Sequence, residues 1–177
     1  MDADVSTLDV LPPRLTRDEA VAKVMRARDA SACLMCAFAA PDHATQTAYA
    51  SATLRVVVPR FALRPGHALV VLAQHVTSFA ETPRAAWREA CDVAYDVARV
   101  LEKNMQIARC YVASLGPGEE GVPMSSRHMH LHVVPVDDPA ARPHEVLTWR
   151  HGVYEESDAA LSTRARTLAS WLRAQPQ

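Results

Sequence analysis

Apolar positions recur along this chain with two periods, about 3.6 and 2 residues, and the switches between them mark out the elements. Thr16-Arg17-Asp18-Glu19 is a capping box, whose hydroxyl and carboxylate satisfy the free amides at a helix start. Ala20-Val21, Val24-Met25 and Ala27 then fall on one stripe, which predicts a helix to about Ala30. Glu19 and Lys23 stand four apart on it, at ion-pairing distance for a helix. Thr82-Pro83 is a second start, an N-cap followed by proline at the first helical position. Trp87, Ala90-Cys91, Ala94, Val97-Ala98 and Leu101 continue at helical spacing and predict a long helix over 83–108, with Trp87 and Cys91 on its core side. Ser157-Asp158 caps a final helix, about Ala159 to Ala174.

The strand signals lie between. Thr47-Ala50 and Thr53-Pro59 read as short strands, with Leu54-Arg55-Val56-Val57-Val58 β-rich throughout. Arg64-Pro65-Gly66 is a turn signal, and His67 to Ala73 is the continuous apolar run of a strand buried on both faces. A further strand is expected at Arg109-Leu115, followed by a Gly- and Pro-rich loop over 116–123. That loop delivers the chain to Ser126-Arg127-His128-Met129-His130-Leu131-His132-Val133-Val134-Pro135, where the alternation is strict. Met129, Leu131 and Val133 point one way, and His128, His130 and His132 the other. Next-but-one side chains on a strand stand about 6.6 Å apart. Three imidazoles in a row on one exposed face are therefore expected. A merely polar outer face would carry Thr, Lys or Glu, so the row points to a site.

Composition narrows the possibilities. The 177 residues suit one domain with extensions: an arm over 1–15, a body over 16–136, and a C-terminal extension over 137–177 packed on it and ending in a helix. A net charge of −1, with no run of Lys or Arg beyond two, argues against a nucleic-acid surface. No apolar stretch approaches the roughly 18 residues of a membrane span. The acidic start, Met1-Asp2-Ala3-Asp4, lacks the order of a signal peptide, so a cytoplasmic protein is expected. In that compartment the four cysteines are thiols or metal ligands rather than disulfides. Cys91 and Cys110 read as buried small hydrophobes. Cys33 and Cys36 form a C-x-x-C pair, expected in a turn after the first helix, where two thiolates can share one tetrahedral Zn²⁺. The redox reading of that motif expects a helix to begin within it, inside a βαβ unit.

The pattern His-φ-His-φ-His-φ-φ resembles the histidine triad that names the HIT superfamily. "Pro-Gly-His, apolar strand, short link, His", some fifty residues upstream, is similar to a second HIT segment. The resemblance, to the zinc-containing branch of that family, implies an α+β HIT-like fold: an antiparallel sheet of about five strands against the 83–108 helix, with additional N- and C-terminal helices. It implies a structural zinc held by Cys33, Cys36, His75 and His128, and a homodimer in which two sheets become continuous. It implies a nucleotide substrate, hydrolysed or transferred at an α-phosphorus by His130 as nucleophile. His132 would contact the phosphate or leaving group, and Ser125 would donate to the phosphate.

Departures from the family pattern are equally informative. Met124 stands where the family usually has Gln. Pro59 stands eight residues before the Gly-His histidine, where it has an Asp or Asn that grips the ribose. The Asn expected in the pre-triad loop is missing, with Pro117 nearby. Two other readings therefore stand beside the enzyme. One is a zinc-stabilised binding module with little turnover. The other is a metal hydrolase using His128, His130 and His132 together, although ligands on one straight strand rarely converge on a single centre.

Overall fold

A computed structural model describes residues 11–27, 33–40, 45–115 and 127–175. The architecture is α+β, with a five-stranded and a three-stranded antiparallel sheet. The larger sheet takes the order β2 (Thr47–Ala50), β3 (Leu54–Val57), β5 (Ala68–Leu72), β7 (His130–Val136), β6 (Arg109–Ala113). β5 is buried along its whole length, as its unbroken apolar run requires.

One face of this sheet carries the main core. Leu54, Val56, Val70, Met129, Leu131 and Val133 pack there against Ala90, Ala94, Val97 and Leu101 of α3 (Arg84–Asn104) and Leu168 of α5 (Asp158–Arg173). The other face is covered at one end by a helix of six residues, α2 (Leu34–Ala39), whose Met35 and Phe38 pack on Val57, Leu69 and Val71. The second sheet has the order β1 (Arg14–Leu15), β8 (Val153–Glu155), β4 (Phe61–Ala62). Its Val153 shares a second core with Ala20 of α1 (Arg17–Ala27), Val134, Val136 and Val146, the last on α4 (Pro143–Val146). Glu156, buried beyond β8, pairs with Arg164 of α5 at 2.8 Å and ties this region to the helix.

Several sequence expectations are met at their chemistry. The capping box forms: Thr16 N–H and its hydroxyl donate to Glu19 at 2.8 and 2.7 Å. Ser157 caps α5 by accepting from Ala160 N–H at 3.2 Å. Others are corrected. Lys23 reaches Glu155 at 2.5 Å across the fold rather than Glu19, because Glu19 is committed to the cap. Pro83 is itself the cap residue of α3, and Thr82 donates to Ser78 O instead. The long helix stops at Asn104, whose side chain bonds back to Val100 O, four residues short of the expected end. The cysteine pair is not in a turn. Cys33 caps α2, so a helix does begin within C-x-x-C, outside any βαβ unit. Cys91 is exposed, since only positions 90, 94, 97, 100 and 101 of the stripe face inward.

Candidate functional site

β7 is the spine of the site, and its antiparallel register decides what faces what. β5 places Val71 opposite His130 and Leu69 opposite His132, while β6 places Ala113 opposite His132. The alternation holds: Met129, Leu131 and Val133 are buried under α3. The histidine face, however, is not open. His128 is 1 % exposed, and His130 and His132 are half-buried, because α2 lies over that side of the sheet.

The three imidazoles divide into two groups. His128 turns its Nδ1 toward the thiols of Cys36 (3.3 Å) and Cys33 (3.6 Å). His75, exposed just beyond β5, brings its Nδ1 to 3.1 Å from Cys36 Sγ. One ligand atom from each of Cys33, Cys36, His75 and His128 lies within 4.8 Å of the others, so the four could hold one metal ion. The donor chemistry fits zinc, for which Cys₂His₂ is an ordinary closed set. The far side fits as well: His128 Nε2–H donates to Leu72 O at 2.7 Å, which leaves Nδ1 as the bare, ligating nitrogen. The environment raises the Cys36 thiol above its usual range, chiefly through burial and then through Cys33 beside it. A cation at that point would reverse this balance and favour the thiolate.

His130 and His132 turn away from the thiols and join a fourth histidine. His130 Nδ1 lies 2.7 Å from His128 O. Its Nε2 lies 3.1 Å from His132 Nε2, and His132 Nδ1 lies 3.1 Å from His67 Nε2. His67 Nδ1 in turn lies 3.3 Å from Leu63 N. The two ends of this chain are backbone groups with fixed roles, and they set every proton between them. A carbonyl can only accept, so His130 carries its proton on Nδ1 and leaves Nε2 bare. His132 must then donate from Nε2 and accept at Nδ1. His67 donates from Nε2 and accepts the Leu63 amide at Nδ1. One tautomer of each ring satisfies all four bonds, provided all three rings are neutral.

The surroundings enforce neutrality. Burial holds His67 well below the usual histidine range, and the neighbouring His132 and His130 add to it. Burial, reinforced by His130, pushes His132 down to about 3. His130 is lowered too, again mainly by burial, although its bond to the His128 carbonyl opposes the shift. A neutral imidazole whose Nε2 carries no proton and accepts from His132 becomes a nucleophile or base once that donor turns to a ligand.

His67 is the functional candidate that residue-by-residue reading left as part of a turn motif. It is 3 % exposed and stacks on His132, with ring centroids 5.2 Å apart. The signal was present: a lone polar side chain opens a strand that is otherwise wholly apolar. Pro59 is buried and offers no side-chain acceptor at the place where the family grips ribose. Ser125, Met124 and Pro117 lie outside the described residues. The three-histidine metal reading fails on geometry, because His128 faces the cysteines while His130 and His132 engage each other.

An antiparallel sheet with alternating histidines leading into and along β7, packed against a long helix, defines the class of fold. Comparison with known proteins assigns the family. The HIT domain family model matches residues 41–139, more than half of the chain, and the chain belongs to the HIT family. Solved structures agree on the fold. A zinc-bound histidine triad family protein from Mycobacterium smegmatis superposes with a TM-score of 0.60 at 20% identity, covering 80% of this chain and 94% of that one. A hypothetical histidine triad nucleotide-binding protein from Sulfolobus tokodaii gives 0.62 at 13% identity, covering 80% and 92%. The Plasmodium falciparum diadenosine triphosphate hydrolase gives 0.53 at 13% identity, covering 73% and 78%. A search of curated proteins returned no significant match.

Proposed function

We propose that this chain is a nucleotide-binding hydrolase or nucleotidyl transferase in which His130 attacks the α-phosphorus of a nucleoside phosphoramidate or polyphosphate. The observation that carries the reading is the relay that leaves Nε2 of His130 bare while Nδ1 is tied to the His128 carbonyl. In the attack, the Nε2 lone pair forms the N–P bond and the leaving group departs with its electron pair. The Nδ1–H···O bond stabilises the cationic ring that results. The Nε2–H of His132, which points at His130 Nε2, would turn to a phosphoryl oxygen once that lone pair is bonded to phosphorus. Water hydrolyses the phosphoramidate and restores the neutral ring.

Cys33, Cys36, His75 and His128 would hold a zinc whose role is structural: it pins α2 to the sheet. Ser125 would add a donor to the phosphate. Among the described residues β6 is an edge strand, with Val112 exposed on it and Leu115 just beyond, and a second copy would continue the sheet there. No helix among the described residues is long and apolar enough to cross a membrane, and a cytoplasmic site of action accords with reduced, metal-binding thiols.

The test is mass spectrometry of protein quenched during turnover of adenosine phosphoramidate. Wild type should carry a nucleotidyl adduct. His130→Ala should carry none and should lose turnover by orders of magnitude with its fold intact, and His132→Ala should lose less. An adduct persisting in His130→Ala refutes the assignment. Buried Pro59 favours the second reading, a binding module, and nucleotide binding without any adduct in wild type would establish that reading instead.

A further inference from the structure

α5 begins beside a cavity of about 610 Å³ that shares no residue with the histidine site. Leu11, Pro12 and Pro13 line it together with Ala159 and Ala160 from the first turn of α5. α5 packs on the core face of the sheet, whereas the imidazoles lie on the face that α2 covers. The volume falls within the range of small-molecule sites, about 300–1,000 Å³.

The polar part of the lining is buried and short of donors. Glu156 is 1 % exposed, and Arg60 fixes its main chain. Glu156 N–H donates to Arg60 O at 2.8 Å, and Arg60 Nη1 donates to Glu156 O at 3.1 Å. Arg164 Nε comes to 2.8 Å from Glu156 Oε1, but the two are not aligned for a hydrogen bond. Among the described residues, neither oxygen of the Glu156 carboxylate accepts one. A carboxylate offers about four lone-pair sites, and burying them without donors is costly. An occupant that brings N–H groups to Glu156 relieves that cost.

We propose that this cavity binds the base of a guanine nucleoside, at a site separate from the histidines. Charge is the first argument. Glu155 pairs with Lys23, Glu156 with Arg164, and Asp158 with Arg60, so among the described residues no charge here is left over to hold an ion. The occupant is therefore neutral. The second argument is the order of its polar groups. Two bare carboxylate oxygens call for two adjacent donors. Arg164, which can only donate, lines the same cavity and calls for an acceptor beside them. Guanine presents that order along one edge: the 2-amino group, N1–H and O6. Adenine, cytosine and uracil do not offer two donors in a row. The proline and alanine side chains of the lining suit the apolar faces of a planar ring.

The test uses the whole chain and guanosine, which carries no phosphate to draw it to the histidines. Guanosine is titrated into ¹⁵N-labelled protein, with inosine and adenosine in parallel. The amide signals of Ala159, Ala160, Thr163 and Thr167 should shift along one saturating curve, and any shift of β7 reports the histidine site separately. Inosine lacks the 2-amino group and loses one charge-assisted bond, so it should bind about ten- to a hundredfold more weakly. Adenosine should leave the α5 signals in place. Glu156→Gln keeps the shape of the side chain but replaces one acceptor by a donor, and should lose the preference for guanosine over inosine. Should that variant not fold, Ala159→Phe, at an exposed position on the cavity wall, should abolish the α5 shifts with the fold kept. Guanosine that moves only β7 overturns the proposal, and so does equal affinity for the three nucleosides. Unmoved α5 signals at the solubility limit of guanosine would mean that the cavity holds water only, and would overturn it as well.

Discussion

Keeping histidines neutral inside a protein makes its stability sensitive to acid, and the relay allows the size of that effect to be worked out. His132 titrates near 3 in the folded chain because of burial and then of His130 beside it. An unfolded histidine titrates near 6.5. Between those values the unfolded state binds the extra proton, so stability falls as pH falls through about 6.5. At pH 5.5 an unfolded histidine is about nine-tenths protonated, and keeping one neutral costs folding about 1.4 kcal/mol; at pH 7.5 the same cost is about 0.1 kcal/mol. His67, also held well below its usual range by burial, adds a loss of the same sign. The assay is urea unfolding at fixed free zinc, at pH 7.5 and 5.5, for wild type and His132→Gln. The variant is expected to start less stable, because the relay is cut, yet to lose roughly 1.3 kcal/mol less on acidification. With m-values of about 1–3 kcal/mol/M, that is a difference of about 0.4–1.3 M in midpoint shift. Acid also weakens thiolate–metal bonds, but both proteins keep the four ligands, so that part cancels. Equal losses in the two proteins would refute the neutral relay.

Four further outcomes are expected. Metal analysis should find one zinc per chain, and chelation should lower the melting temperature; a thiol reagent should label exposed Cys91 at once, Cys33 and Cys36 only after chelation, and Cys110 last, since burial and then Glu102 push it up to about 12. Leu54→Ala, at a fully buried site in the main core, should cost about 2–5 kcal/mol in denaturant unfolding and leave zinc content unchanged. Gly152→Ala should cost at least about 2 kcal/mol, because φ is +85° there and a Cβ would stand 2.4 Å from Leu15 O across the β1–β8 pairing. Calorimetric titration with AMP and its 2′-deoxy analogue should give affinities within a fewfold of each other, since Pro59 lacks the acceptor whose charge-assisted bond would be worth about 1.5–3 kcal/mol.

Those features that a long, regular period writes into the sequence were legible there. The strict alternation around His130 placed Met129, Leu131 and Val133 under the helix, and the stripe through Ala90, Ala94, Val97 and Leu101 located α3. The three-stranded sheet was not legible, because strands of two or three residues are shorter than the period that would reveal them. α2 was missed for a related reason. Leu-Met-Cys-Ala-Phe-Ala is apolar almost all round, and it starts at a cysteine rather than at Ser, Thr, Asp or Asn. Cys91 adjoins the stripe in sequence, but one residue is 100° of rotation, enough to carry it from the core to solvent beside Tyr95.

The site shows where this kind of reading stops. Four cysteine and histidine ligands, and two imidazoles besides, could be named from the chain, while His67 was left with its turn. Their division into a metal group and a proton relay could not, because it depends on register and rotamer. Residues two apart on a strand are equivalent by pattern, yet His128 looks toward Cys36 and His130 toward His132. What separates them is what lies opposite. Cys33 and Cys36, at and within α2, meet His128 just before β7 begins, and His67, just before β5, lies beside His132. The Leu63 amide and the His128 carbonyl then fix the protons from either end. A hydroxyl or amide at position 67 could serve at that end only by replacing both a donor and an acceptor in the same plane. That is why a histidine opening an apolar strand belongs with the triad rather than with the turn.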